Sequence, residues 1–220
     1  HSDMSENIGP EREKLKSTMR WSEQFLVGSG NNIFGNAFFE NVGGGSFNEI
    51  SNLVGIETYW PWGTSLGDFN LDGFEDVVIT AGMNYPFRYG VNTVLLNDKG
   101  NVFRDSEFIL NVEPRRDGNT TGPWFEVDCS GDNRFHRDCI NGALTGISTV
   151  WAALGSRSSV VFDLDLDGDL DIVTNEFNSA PQVLISNLTD VRDAGNLFKV
   201  SLRGTESNRD GLGSMVTVYQ

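Results

Sequence analysis

The chain has 220 residues, and only two of them are histidine and two cysteine. Positive charge is also scarce: 16 Lys and Arg stand against 31 Asp and Glu, a formal net charge of −15. No apolar run approaches the roughly 18 residues that a membrane span requires. Each shortage excludes something. With His1 terminal and His136 isolated, little remains for histidine-based acid–base or zinc chemistry. The acidic balance argues against nucleic acid, whose binders carry basic patches. No G-x-S-x-G, H-E-x-x-H, Gly-rich phosphate loop or Cys/His pairing is present, so no enzymatic activity is expected of this chain. A signal peptide is not visible either. The chain begins HSDMSENIG, not with an initiator Met, so this says nothing about secretion.

The cysteines, Cys129 and Cys139, lie in the loop-like stretch DCSGDNRFHRDC. A disulfide closing this small loop is expected, and it fits an oxidising compartment. Zinc would want more ligands at closer spacing, and His136 is the one other candidate nearby.

Aromatic content is 11% and hydrophobic content 38%, ample for a packed core. Residues 1–29 form a lead-in segment, with one or two helical turns expected after Pro10. From residue 30 the texture is β. Short runs such as EDVVITAGM, TVLLNDKG, SSVVFDLD, LDIVTNEF and QVLISN alternate with Gly, Asn and Asp turns. Strands this short, with such frequent turn signals, mean a sandwich, barrel or propeller.

An internal repeat organises them. Each unit reads acidic loop, apolar strand, polar stretch, strand ending in Asn, then a glycine turn. Residues 67–103 follow this order and residues 162–187 follow it again. Residues 36–50 match the second half, as if a preceding unit lacked its first half. Repeats of this size suggest blades or solenoid units. The polar stretch 111–144 between the full units is expected to be an irregular insertion.

The acidic loops are the main clue. Numbering each as 1, 3, 5, 7 and 9, the first has Asp68, Asn70, Asp72, Phe74 and Asp76. The second has Asp163, Asp165, Asp167, Asp169 and Asp171. Gly73 and Gly168 hold position 6, where a sharp turn is needed. Hard cations such as Ca²⁺ take six to eight oxygens, and side chains at alternate positions of a tight loop can converge on one point. At position 7 the backbone carbonyl of Phe74 or Asp169 serves, not the side chain. An EF-hand would need a Glu at position 12 and flanking helices. Here position 12 is Ile79 or Thr174, and the flanks are β-rich. Without a cation the crowded carboxylates would repel; a bound one reverses that term. A metal-free loop rich in Asx turns is the alternative. Two Ca²⁺ sites of structural role are expected. Leu164, Leu166 and Leu170 are expected to face the interior.

GDFNLDGFEDVVI and FDLDLDGDLDIV resemble the calcium loops of FG-GAP/VCBS repeats, the blades of integrin-α-like β-propellers. NLFKVSLRGTESNRDGLGSMVTV, residues 196–218, resembles the opening of an ASPIC/UnbV domain, which follows such repeats in the cartilage acidic protein-like family. The resemblance implies an all-β fold, a partial β-propeller of about three to four blades over residues 30–192. A truncated ASPIC/UnbV-like β domain would begin over 193–220. Calcium ligation is carried over to the ten loop positions named above, and no catalytic residue is.

The function expected is that of a calcium-binding, non-enzymatic interaction module. Its protein would be secreted, periplasmic or at the cell surface. Three or four blades do not close a ring, and open β edges are pairing sites, so contacts with other protein chains are expected. The alternative is a carbohydrate-binding module or accessory part of a polysaccharide-acting enzyme. Trp60 and Trp62 are the aromatic candidates for glycan contact and Trp124 and Phe125 for partner contact; the alternative is that the first two pack between blades and the second two pack the loop onto a blade. NTT at 119–121 and NLT at 187–189 read as glycosylation sequons, and PRR at 114–116 as a protease site or solvated loop.

Overall fold

The computed structural model describes residues 36–56, 58, 61–82, 89–191, 200–206 and 208–217. The expected lead-in at 1–29, Trp60 and residues 193–199 lie outside them. The described chain is β-rich, with few helices and several antiparallel sheets.

The first element is a hairpin, β1 (Phe39–Gly43) and β2 (Ser46–Glu49), followed by a single helical turn, α1 (Ser51–Val54). A four-stranded antiparallel sheet, sheet A, follows in simple order. Its strands are β3 (Pro61–Gly67), β4 (Asp76–Ala81), β5 (Thr93–Asp98) and β6 (Val102–Asp105). A second hairpin pairs β7 (Thr121–Asp128) with β8 (Ile147–Ala153), with two 3₁₀ turns between them at Asp132–Phe135 and Arg137–Gly142. Sheet B has three strands, β9 (Ser156–Phe162), β10 (Asp171–Glu176) and β11 (Gln182–Leu184). The short helix α2 (Leu188–Val191) comes directly after β11.

The registers show one unit repeated. In sheet A, Gly67 pairs with Asp76 and Val77 with Leu95. In sheet B, Phe162 pairs with Asp171 and Ile172 with Leu184. Likewise β1–β2 pairs Asn41 with Phe47 and Phe39 with Glu49, while β5–β6 pairs Asn97 with Phe103 and Leu95 with Asp105. So β1–β2 has the register of a unit's third and fourth strands, and sheet B that of the first three.

Sheet A is covered on both faces, which is why β4 reads as a continuous apolar run. Val77, Ile79 and Leu95 pack with Val54 and Ile56, joined by Phe38 and Phe103. On the opposite face Val78 and Val94 cluster with Ile172 of sheet B and with Val112. Alternate residues of a strand point to opposite faces, so one strand feeds two cores. Burying each such side chain contributes about 1.5–3 kcal/mol.

The first strands of the two sheets lie close together. The Ser65 hydroxyl is 2.9 Å from the Ser159 carbonyl and 2.8 Å from its hydroxyl. Glycine makes this approach possible: a Cβ on Gly63 would fall 2.9 Å from the Ser159-adjacent Ser158 Cα.

One expectation changes. The stretch 111–144 is not irregular throughout: strand β7 and both 3₁₀ turns lie in it, because β8 supplies β7 with a hydrogen-bonding partner. Over the described part of 193–220 there is no strand. Much of the segment expected to open a β domain, residues 193–199, 207 and 218–220, lies outside the described residues. The NRDG stretch there forms a turn, closed by the Gly211 amide donating to the Asn208 carbonyl at 3.4 Å.

Candidate metal centre

Both acidic loops connect the first strand of a sheet to the second, β3 to β4 and β9 to β10. They share a backbone trace. Leu71 and Leu166 at position 4 have φ of 56° and 67°, and Gly73 and Gly168 at position 6 have φ of 89° and 102°. Left-handed φ at position 6 is the conformation glycine adopts without penalty. At position 4 it turns a leucine outward. Leu166, expected inside, is 71% exposed, and Leu164 is exposed as well. Leu170 is half-buried.

The position-9 aspartates act alike. Asp76 accepts from the Phe69 amide at 2.8 Å and the Asn97 amide at 2.7 Å. Asp171 accepts from the Leu164 amide at 2.7 Å and the Ser186 amide at 2.8 Å. Each buried carboxylate thus ties the start of its loop to the end of the unit's third strand. Burial pushes the Asp76 carboxyl above its ordinary range, against the lowering effect of the Asn97 and Phe69 amides.

The loops differ in how their other oxygens are used. In the second, one carboxylate oxygen each from Asp163, Asp165 and Asp171 lies within 4.8 Å of the others. The buried Oδ1 of Asp163 has no hydrogen-bond partner among the described residues, and neither has Oδ1 of Asp169. An all-oxygen donor set with an orphaned carboxylate oxygen suits a hard cation. Asp165 is held above the ordinary carboxylate range by desolvation first and by neighbouring Asp167 next. Asp167 is held below it, chiefly by the Asp169 amide and then by the Thr189 hydroxyl.

In the first loop the equivalent groups turn to the backbone. Asp68 accepts from the amides of Asp72 and Gly73 at 3.0 and 2.8 Å. Asn70 Oδ1 accepts from the Asp72 amide at 3.0 Å, and Asp72 Oδ1 from the Phe74 amide at 2.9 Å. These are Asx turns. Among the described residues the geometry brings together Asp163, Asp165 and Asp171, and does not gather Asp68, Asp72 and Asp76 in the same way.

Thr189, read from sequence only as the end of a sequon, grips the second loop. Its amide donates to Asp169 Oδ2 at 2.9 Å, and its hydroxyl reaches Asp167 Oδ2 at 2.9 Å and Asp169 Oδ2 at 3.1 Å. The Asp169 side chain is therefore buried and turned to α2.

A second polar cluster was not legible in the sequence. Arg115, of the PRR stretch, is neither solvated nor open to a protease: it is buried and ion-paired with Glu176. Its Nε donates to the Tyr89 hydroxyl at 2.8 Å, which donates to Glu113 at 2.7 Å. Glu113 also accepts from the Asn92 amide at 3.0 Å, and the Asn92 side chain donates to Ser156 at 2.9 Å. The network joins the β4–β5 connection, the segment after β6, and sheet B.

The aromatic candidates are engaged. The Arg157 guanidinium lies over the Trp62 ring, 4.1 Å from its centroid. Trp124 packs on the core of Val127, Val150 and the disulfide-bonded Cys129 and Cys139, and meets Phe177 edge-on at 6.1 Å. Phe125 stands partly exposed beside His136. Trp60 lies outside the described residues. No described helix is long and apolar enough to cross a membrane.

No curated protein matches the chain. A family model does: the FG-GAP repeat is found at residues 60–96, which span β3, the first acidic loop, β4 and most of β5.

Proposed function

We propose that the chain is a calcium-binding, non-enzymatic interaction module of an exported protein. Its units are β-propeller blades of the FG-GAP/VCBS kind, and residues 193–220 open an ASPIC/UnbV-like domain. FG-GAP repeats are found in integrin-like, protein-interaction modules and are typically non-enzymatic. The observation that carries the metal reading is the convergence of Asp163, Asp165 and Asp171 oxygens within 4.8 Å, in a loop joining two strands. Asp163, Asp165, Asp167 and Asp171, with the Asp169 carbonyl, would hold one Ca²⁺. Asp68, Asn70, Asp72 and Asp76, with the Phe74 carbonyl, would hold the other. The ion supplies positive charge that cross-links a turn. The residues do the rest: Asp76 and Asp171 fix the loop to the third strand, and Thr189 fixes Asp167 and Asp169. The disulfide between Cys129 and Cys139 suits export. No observation favours the glycan reading: Trp62 carries the Arg157 guanidinium on its ring and Trp124 packs on the disulfide core.

Chelation tests it. Calcium at a hundredfold excess over Kd should stabilise the fold by about 2.7 kcal/mol per site. Thermal melting should therefore shift down in EDTA, and Asp165→Ala should abolish part of the shift while Asp190→Ala leaves it intact. Unchanged melting in EDTA, with no calcium by elemental analysis, would overturn the reading.

A further inference from the structure

The two acidic loops tie down their position-5 carboxylate in different places. In the first, Asp72 Oδ1 accepts from the Phe74 amide at 2.9 Å and Oδ2 from the Asn70 side chain at 3.0 Å, so both contacts stay inside the loop. In the second, Asp167 Oδ1 accepts from the Asp169 amide at 3.2 Å, again inside the loop. Its Oδ2 instead accepts from the Thr189 hydroxyl at 2.9 Å, 22 residues further along the chain.

The Thr189 contacts divide by donor count. A hydroxyl carries one proton. The Thr189 amide already donates to Asp169 Oδ2 at 2.9 Å, and the hydroxyl stands 2.9 Å from Asp167 Oδ2 against 3.1 Å from Asp169 Oδ2. The amide therefore serves Asp169 and the hydroxyl serves Asp167. Just before them, the Ser186 amide donates to Asp171 at 2.8 Å. The chain from Ser186 to Thr189 is thus stitched to positions 5, 7 and 9 of the loop. That stitching places α2. Four residues are too few for a helix to form alone, and none of the four is buried. The acids that hold its start repel one another. Asp169 is 1% exposed, and its Oδ1 has no hydrogen-bond partner among the described residues. Nor has the buried Oδ1 of Asp163. Buried carboxylate oxygens left in this state are costly unless positive charge is supplied.

We propose, resting on the calcium reading of this loop, that Thr189 is a positioning residue for the second calcium site and that calcium, through it, governs the docking of α2. A carboxylate oxygen has two lone pairs, so Asp167 can keep the Thr189 hydroxyl and still offer its carboxylate to a cation. Partners of this kind orient a metal ligand, and removing one typically costs about 10–100-fold in metal affinity. Linkage makes the effect reciprocal: the factor that docked Thr189 contributes to calcium affinity, calcium contributes to docking. In the first loop Asn70 takes the corresponding place on Asp72, so one substitution at Thr189 separates the two sites.

Each loop is followed through the amide that its position-9 aspartate receives, Phe69 for the first and Leu164 for the second. Hydrogen exchange of the full chain is measured across a calcium titration. Thr189→Val should raise the calcium midpoint at Leu164 by about tenfold and leave the midpoint at Phe69 unchanged. Thr189→Ser, which keeps the hydroxyl, should restore it. In the wild type, calcium should slow exchange of the Thr189 amide by at least about tenfold. Asp165→Ala, which removes a loop carboxylate other than the two that Thr189 holds, should abolish that slowing. An unchanged midpoint at Leu164 in Thr189→Val, or equal shifts at Leu164 and Phe69, overturns the positioning role and leaves the calcium reading standing. Equal exchange of the Thr189 amide in calcium and in EDTA overturns it too, and requires no variant to fold. No calcium response at either Leu164 or Phe69 overturns the calcium reading and the positioning role together.

Discussion

At position 9 of each acidic loop an aspartate is buried, and the reason is visible in its partners. Asp76 and Asp171 each receive two backbone amides from opposite ends of a unit. The sequence marked these residues as acids of a metal loop, and it could not mark them as backbone clamps, because Asn97 and Ser186 are distant along the chain. The Arg115 network was hidden for the same reason. PRR looks like a solvated run until Glu176 and Tyr89 are brought to it. Glu113 in that network is faced by Tyr89, Asn92, Arg115 and the carboxylate of Glu107; burial foremost pushes its carboxyl up. A folded-state value raised above the unfolded one contributes stability that is complete below the unfolded value, near 4.5, and is lost as pH rises through the folded value. Glu113→Gln removes this titration. Melting temperatures of the variant should fall less steeply than those of the wild type as pH rises above that point. Parallel pH profiles would refute the assignment.

At the scale of elements, the β7–β8 hairpin is held by different means from the sheets. Its core is small: Val127, Val150 and the two buried half-cystines, with Trp124 packed against them. The disulfide spans a separation of 10 residues, and closing a loop of this size typically contributes 2–4 kcal/mol, roughly, by restricting the unfolded chain. Replacing Cys129 and Cys139 with serine should therefore loosen this hairpin selectively. Hydrogen exchange should accelerate at Val127 and Val150 and stay slow at Val78 and Leu95, which lie in the cores of sheet A. Acceleration throughout would show instead that the hairpin and sheet A unfold as one. The existence of β7 was not legible. Its sequence, TGPWFEVD, carries Gly and Pro, and only the pairing with β8, bulged between Pro123 and Phe125, accommodates them.

At the scale of the molecule, charge and sheet order decide behaviour. A net charge of −15 places the folded chain under self-repulsion. In EDTA, raising NaCl should raise the melting temperature by screening that repulsion. With calcium bound the same salt should matter less, and equal salt dependence in both conditions would argue that the ions do not offset the loop charges. The sequence by itself determined the acidic loops, their glycine turns, the β texture and the repeat, because spacing, turn chemistry and strand alternation act over a few residues. It could not determine that the second loop gathers its carboxylates while the first bonds to its own backbone. Thr189 reaches the second loop from α2, and no sequence pattern within the loop contains that contact. Nor could it show that sheets A and B share a core through Val78, Val94 and Ile172. Strand pairing and the seat for Phe103 are made by residues far apart in the chain, so only the tertiary structure decides how they meet.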